Sequence, residues 1–105
     1  MHKIEIVVQP DCLGRMSEAL RKAKIGPFRT SAITVVDPAA PPDGSYRGAS
    51  YATGRERVKL EFVVGDHEVE PALETIQQGI DAFGSGDAEL VVLEVQSSVR
   101  VSPSL

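Results

Sequence analysis

Two short segments, KIEIVV at residues 3–8 and KLEFVV at 59–64, repeat one pattern, and each runs through a turn into a stretch with apolar residues at three- and four-residue steps. A chain built on two such strand–helix units has few folds open to it. In the first unit Ile4, Ile6 and Val8 fall on one side of a strand and Lys3 and Glu5 on the other, the two-residue period of a half-buried strand. QPD stops the strand and offers Asp11 as a helix cap; Leu13, Met16, Ala19, Leu20 and Ala23 then mark the apolar stripe of a helix. Gly26 and Pro27 end that helix, and the β-branched SAITVV reads as a second strand. In the second unit Val58, Leu60, Phe62 and Val64 share a strand face, and Val69, Leu73, Ile76, Ile80 and Phe83 form a second helical stripe. Pro71 fits the first turn of that helix, where its missing N–H leaves no bond unmade. After GSGD, AELVVLEV reads as a fourth strand buried on both faces by its near-continuous apolar run, and SVRVS as its extension or a short fifth.

The order strand, helix, strand, strand, helix, strand predicts an α+β fold, the ferredoxin-like βαββαβ plait, with an antiparallel sheet and both helices on one face. The other face is left bare. Val7, Val63 and either Val91 or Val92 lie near it, which predicts a homo-oligomer that hides it. At 105 residues the chain reads as a single domain over 1–105. The lone Cys12 has no partner for an internal disulfide, which favours the cytoplasm, and no apolar run reaches membrane-spanning length. A net charge of −4 and an absence of tryptophan argue against nucleic acid as a partner.

Between the second and third strands lies an excursion of 19 residues, 37–55, with prolines at 38, 41 and 42 and glycines at 44, 48 and 54. Loops this long inside compact domains are uncommon and usually carry function. This one ends in SYRGASYATGR, with Tyr46, Tyr51 and Arg47, and opens into a cationic strand. From Gly44 to Leu60 four cations (Arg47, Arg55, Arg57, Lys59) stand against one acid, a local net of +3 in an acidic chain. Alternation sets Arg55, Arg57 and Lys59 on one side, and Arg47, Arg57 and Lys59 are the candidates for holding phosphate or carboxylate; the bland alternative is a solvated edge guarded against aggregation. In FGSGDAE the glycines Gly84 and Gly86 permit a phosphate-cradling turn, or simply a helix end. His2 and His67 have no second ligand at metal spacing, so no metal site is expected. No nucleophile or paired-carboxylate motif is legible, and no catalytic residue is assigned.

YRGASY at 46–51, joined with the plait, the long excursion and the GDA turn, resembles the PII signal-transduction family. The likeness runs from KIEIVVQPDCL through EALRKAKIG, YRGASY and VKLEFVV to GSGDAELVVLEVQSSVRV. Members typically carry YRGAEY, so only Ser50 departs. The resemblance implies a non-enzymatic compact homotrimer whose bare faces line a central cavity. It also implies adenine-nucleotide sites in the clefts between subunits and a docking loop at 37–55 that engages a protein target. Carried over, the nucleotide positions are Val7, Thr30, Asp37, Glu61, Val63, Val64, Gly84, Gly86, Asp87, Ala88, Glu89, Arg100 and Ser102. Arg57 takes the place of the lysine that meets the effector carboxylate, and Tyr51 that of the tyrosine some enteric relatives uridylylate.

The departures are informative. Glu89 replaces the lysine of the phosphate-gripping turn, Ser102 replaces one of two C-terminal arginines, and Asp37–Pro38 replaces a glycine–arginine pair. The glutamine and histidine tied to magnesium and 2-oxoglutarate have no counterpart in AAPPDG. Each lost charge-assisted hydrogen bond costs roughly 1.5–3 kcal/mol, most felt by a triphosphate. ADP or AMP is therefore expected over ATP, and bicarbonate is expected in place of 2-oxoglutarate, as in PII-like relatives associated with carboxysomes or bicarbonate transporters. Three alternatives stand beside this: a nitrogen regulator sensing ATP and 2-oxoglutarate, a small phosphohydrolase, and a trimeric metal-tolerance protein.

Overall fold

The computed structural model describes residues 1–38, 44–46, 49–51, 54–83 and 88–102. The first unit is β1 (His2–Val8), a single 3₁₀ turn over Pro10–Cys12, α1 (Leu13–Lys22) and β2 (Arg29–Val35). The second is β5 (Arg55–Val64), a 3₁₀ turn over Asp66–Glu68, α2 (Val69–Phe83) and β6 (Glu89–Glu94). Between them β3 (Gly44–Tyr46) and β4 (Ala49–Tyr51) pair as a separate hairpin inside the excursion, which strand periodicity had not revealed. The main sheet runs β2–β5–β1–β6, every neighbour antiparallel, which is the ferredoxin-like order.

Register sorts the side chains. Ile4 faces Phe62 and Ile6 faces Leu60 across the two central strands, and all four are buried beside Met16 and Leu20 of α1 and Ala72 and Ile76 of α2. Hydrophobic burial of this one cluster is the main stabilising term of the domain. The stripe of α2 lies where expected: Ile76 is fully buried and Val69, Leu73 and Ile80 pack against the core, with Ala72 buried beside them.

Four local expectations are corrected. Asp11 caps nothing, because the chain enters α1 through the 3₁₀ turn and no side-chain cap bond forms at either start. The first helix stops before Gly26: Lys24 takes a left-handed φ of 59°, and Ile25 N–H donates to Leu20 O at 2.9 Å, closing the helix end by a six-to-one bond. β6 is not buried on both faces. It is an edge strand, and only Val91 along it is half-buried, while Leu90, Val92 and Leu93 are exposed. Val92 lies opposite Ile4 on the helix side, so Val91 is the one that belongs to the bare face. The described part of SVRVS adds no strand.

The base of the excursion is tight at one point. A Cβ at Gly54 would overlap Thr34 Cγ2 and come into ordinary contact with Val36 Cγ2. Thr34 is β-branched and stiff at χ1, so it has little room to yield. Gly54→Ala is expected to destabilise the fold by roughly 1–3 kcal/mol in urea denaturation. Adding Thr34→Ala should recover most of that; a double variant no better than the single one would show that the strain lies elsewhere.

Candidate functional site

The face of the sheet opposite the helices is a ladder of alternate residues. Its rows, read across the paired strands, are Leu93–Lys3–Val63, then Val91–Glu5–Glu61–Arg29, then Glu89–Val7–Lys59–Ser31, then Arg57–Ile33 and Arg55–Val35. Charges occupy its middle. Lys3 Nζ lies 2.9 Å from Glu61 Oε2 and 3.3 Å from Glu5 Oε1, and Lys59 Nζ lies 3.8 Å from Glu61 Oε2. Glu61 Oε2 is sealed from solvent without an aligned donor, so its contact with Lys3 is a charge pair and not a well-directed hydrogen bond. Apolar groups occupy the margins, with Val63 and Leu93 both more than 40% exposed.

This arrangement moves two protonation equilibria. The Lys3 ammonium holds the Glu61 carboxyl below its ordinary value against the opposing cost of burial, with Lys59 and Arg29 adding smaller attractions. In return Glu61 and then Glu5 raise Lys3. A carboxyl depressed in the folded state adds stability that is complete above its unfolded value, about 4.3, and lost as pH falls through the lower folded value. Glu61→Gln should therefore lose less stability than the parent chain between about pH 6 and about pH 3. Urea denaturation at both pH values measures this, and equal losses would show that the pair does not contribute.

One end of this face opens into a cleft of about 490 Å³, lined by Lys3, Gly26, Pro27, Arg29, Glu61, Phe62, Val63, Ser98 and Arg100. That volume suits a small organic ligand. The turn after α1 supplies one wall through Gly26 and Pro27, the central strands supply the floor, and the segment after β6 brings Arg100 across. A smaller cleft of about 380 Å³ shares Gly26 and Val63 and runs past Lys24 toward Glu68 and Thr75 at the start of α2.

Of the positions singled out in the sequence, Glu61, Val63 and Arg100 meet in the larger cleft. Val7, Lys59 and Glu89 share the next-but-one row, and Arg57 the row beyond it, where its Nη1 donates to Glu56 O at 2.8 Å. Thr30 pairs with Leu60 and so belongs to the helix side of the sheet. Val64 is buried in the core, Ala88 packs against it, and Asp37 and Ser102 are exposed. Arg47, Gly84, Gly86 and Asp87 lie outside the described residues, as do the side chains of Tyr46 and Tyr51. Sequence reasoning missed Lys3, Arg29 and Ser98. Parity along β2 separates Arg29 from Thr30, but only the pairing Arg29–Glu61 tells which of the two faces the cleft.

Among the described residues, no helix is long and apolar enough to cross a membrane. The family model for nitrogen regulatory protein P-II matches residues 1–104. Curated proteins of that name are similar over 102 residues, covering 96% of this chain and 91% of theirs: the protein of Mesorhizobium japonicum at 30% identity, that of Rhodospirillum rubrum at 29% and that of Azospirillum brasilense at 32%. A family match over nearly the whole length, on a chain that has the expected plait, makes this protein a member of the P-II family of regulatory proteins.

Proposed function

We propose that this chain is a trimeric cytoplasmic regulator that takes an adenine nucleotide between subunits, favours ADP or AMP over ATP, and signals through residues 37–55 to a protein partner. One observation carries the reading. Val63 and Arg100 stand at one end of the bare face, whereas Asp37 lies past Val35, whose partner Arg55 is eight residues along β5 from Val63. At about 3.3 Å per residue that is a separation of roughly 26 Å, longer than a mononucleotide. Both sets of residues therefore meet one ligand only if two copies of the chain contribute, each giving a different end. The exposed Val63 and Leu93 on the same face supply apolar area for that association.

The effector is proposed to be a small anion such as bicarbonate, held near Arg57 and Arg47, and the partner a bicarbonate transporter or carboxysome-related protein. The absence of the magnesium and 2-oxoglutarate residues from AAPPDG supports this. The second reading, nitrogen regulation through ATP and 2-oxoglutarate, is favoured by the names of the relatives. Calorimetry with AMP, ADP and ATP, with and without magnesium, 2-oxoglutarate and bicarbonate, separates the two. ADP or AMP is expected to bind more tightly than ATP, with no gain from 2-oxoglutarate. Magnesium-dependent synergy between ATP and 2-oxoglutarate would establish the second reading instead.

A further inference from the structure

Sequence spacing gives His2 no second ligand, but the fold brings two groups to it. The Met1 amine lies 2.7 Å from Asp66 Oδ1, and His2 Nδ1 lies 3.0 Å from the same oxygen. His2 Nδ1 is sealed from solvent yet makes no aligned hydrogen bond, the kind of orphaned polar atom that calls for an explanation. Three pieces of the fold hold the group together. His2 opens β1 opposite the buried Val64, Asp66 opens the 3₁₀ turn ahead of α2, and Met1 O accepts from Val95 N–H at 3.0 Å. His2 therefore lies on the helix side of the sheet, away from the bare face and its larger cleft. Asp66 is exposed, which leaves the group open to a solvated ion, and Glu94 opposite His2 adds a negative charge on the same side.

The spacing suits ligands of one ion. Donors at right angles on an ion with bonds of about 2.0–2.1 Å stand about 2.9 Å apart, and both contacts to Asp66 Oδ1 fall near that value. Among the described residues no three His, Cys, Asp or Glu side chains gather for a metal, so the third donor is the main-chain amine. We infer that, in a chain with a free amine at Met1, this amine, His2 Nδ1 and Asp66 Oδ1 form a site for a divalent late first-row cation, Cu²⁺ above all. Two nitrogens and one carboxylate suit Cu²⁺ or Zn²⁺ and not Mg²⁺ or Ca²⁺, which take oxygen, and Cu²⁺ is the strongest binder of its series. As the ion enters, the amine gives its proton to solvent and His2 ligates as neutral imidazole. The bound ion ties the start of β1 to the turn that opens α2. This site does not rest on the nucleotide reading.

The test is calorimetry of the full, untagged chain with CuCl₂, ZnCl₂ and MgCl₂, its free Met1 amine confirmed by mass spectrometry, beside paramagnetic resonance of the Cu²⁺ form. One Cu²⁺ per chain is expected, with Zn²⁺ weaker, Mg²⁺ unbound and the copper signal coupled to two nitrogens. His2→Ala and Asp66→Asn should each weaken Cu²⁺ by more than about 10-fold, the least that losing an outer-shell partner costs, while His67→Ala stays within about twofold. A parent chain that binds no Cu²⁺, unchanged affinity in His2→Ala, or a loss in His67→Ala as large as in His2→Ala would overturn the assignment. Should a side-chain variant melt early, a Gly-Ser extension ahead of Met1 asks the same question without touching the core. It turns the amine into an amide and should remove one coupled nitrogen and more than about 10-fold of the affinity. An extended chain that binds Cu²⁺ as tightly as the parent would overturn the assignment as well.

Discussion

Replacing Leu60 with alanine will lower the unfolding free energy by about 2–5 kcal/mol. Leu60 is fully buried in the middle of β5, with Ile6 opposite it on β1 and Thr30 opposite it on β2, so three strands lock its backbone in place. Its side chain belongs to the one cluster that joins the sheet to α1 and α2. A truncated side chain leaves a cavity that a hydrogen-bonded central strand cannot move to fill. Domains of this size hold only about 5–15 kcal/mol in total, so the variant should sit near its unfolding threshold at room temperature. Urea midpoints measure the loss, and Leu60→Met, which keeps the volume, should cost under about 1.5 kcal/mol. A similar penalty for both would point to shape at this site and not to the cavity.

Arg100→Ala should weaken every phosphate-bearing adenylate by about 10- to 100-fold, the worth of one charge-assisted hydrogen bond, without moving the urea midpoint. Arg100 is exposed and lies past β6 on a stretch outside the sheet, so the core does not depend on it. It nevertheless reaches the cleft beside Lys3 and Val63. Binding and folding are thus separable at this residue, which makes the variant a clean measurement. Unchanged AMP and ADP affinity would mean that the phosphates lie elsewhere on the bare face. A lowered midpoint would mean that the segment after β6 is part of the stabilising structure.

Periodicity alone determined the order of the two helices and the four strands of the main sheet. Ile4, Ile6 and Val8 alternate, Met16 and Leu20 fall one turn apart, and both patterns follow from how a strand and a helix each present one face to a core. The same periodicity carried the plait, because two helices and four strands in that order have one compact antiparallel solution. YRGASY and the length of the chain then carried the family. Where local chemistry competes, the reading drifted. Asp11 has the composition of a cap but sits inside a 3₁₀ turn, and Lys24, which has no special liking for left-handed backbone, ends α1 ahead of the glycine.

What only the tertiary structure decided is lateral. An apolar run such as AELVVLEV says that a strand will be covered, yet β6 takes an edge position and leaves Leu90, Val92 and Leu93 exposed. The cleft is likewise a matter of register: Arg29 rather than Thr30 meets Glu61 because β2 pairs with β5 in one phase out of two, and a slip of one residue would exchange them. Lys3 and Arg100 are nearly a chain length apart and become neighbours only because β1 is central and the chain returns along its flank. Side-chain period is a local property of the backbone, while strand neighbours and register are set by the packing of the whole sheet.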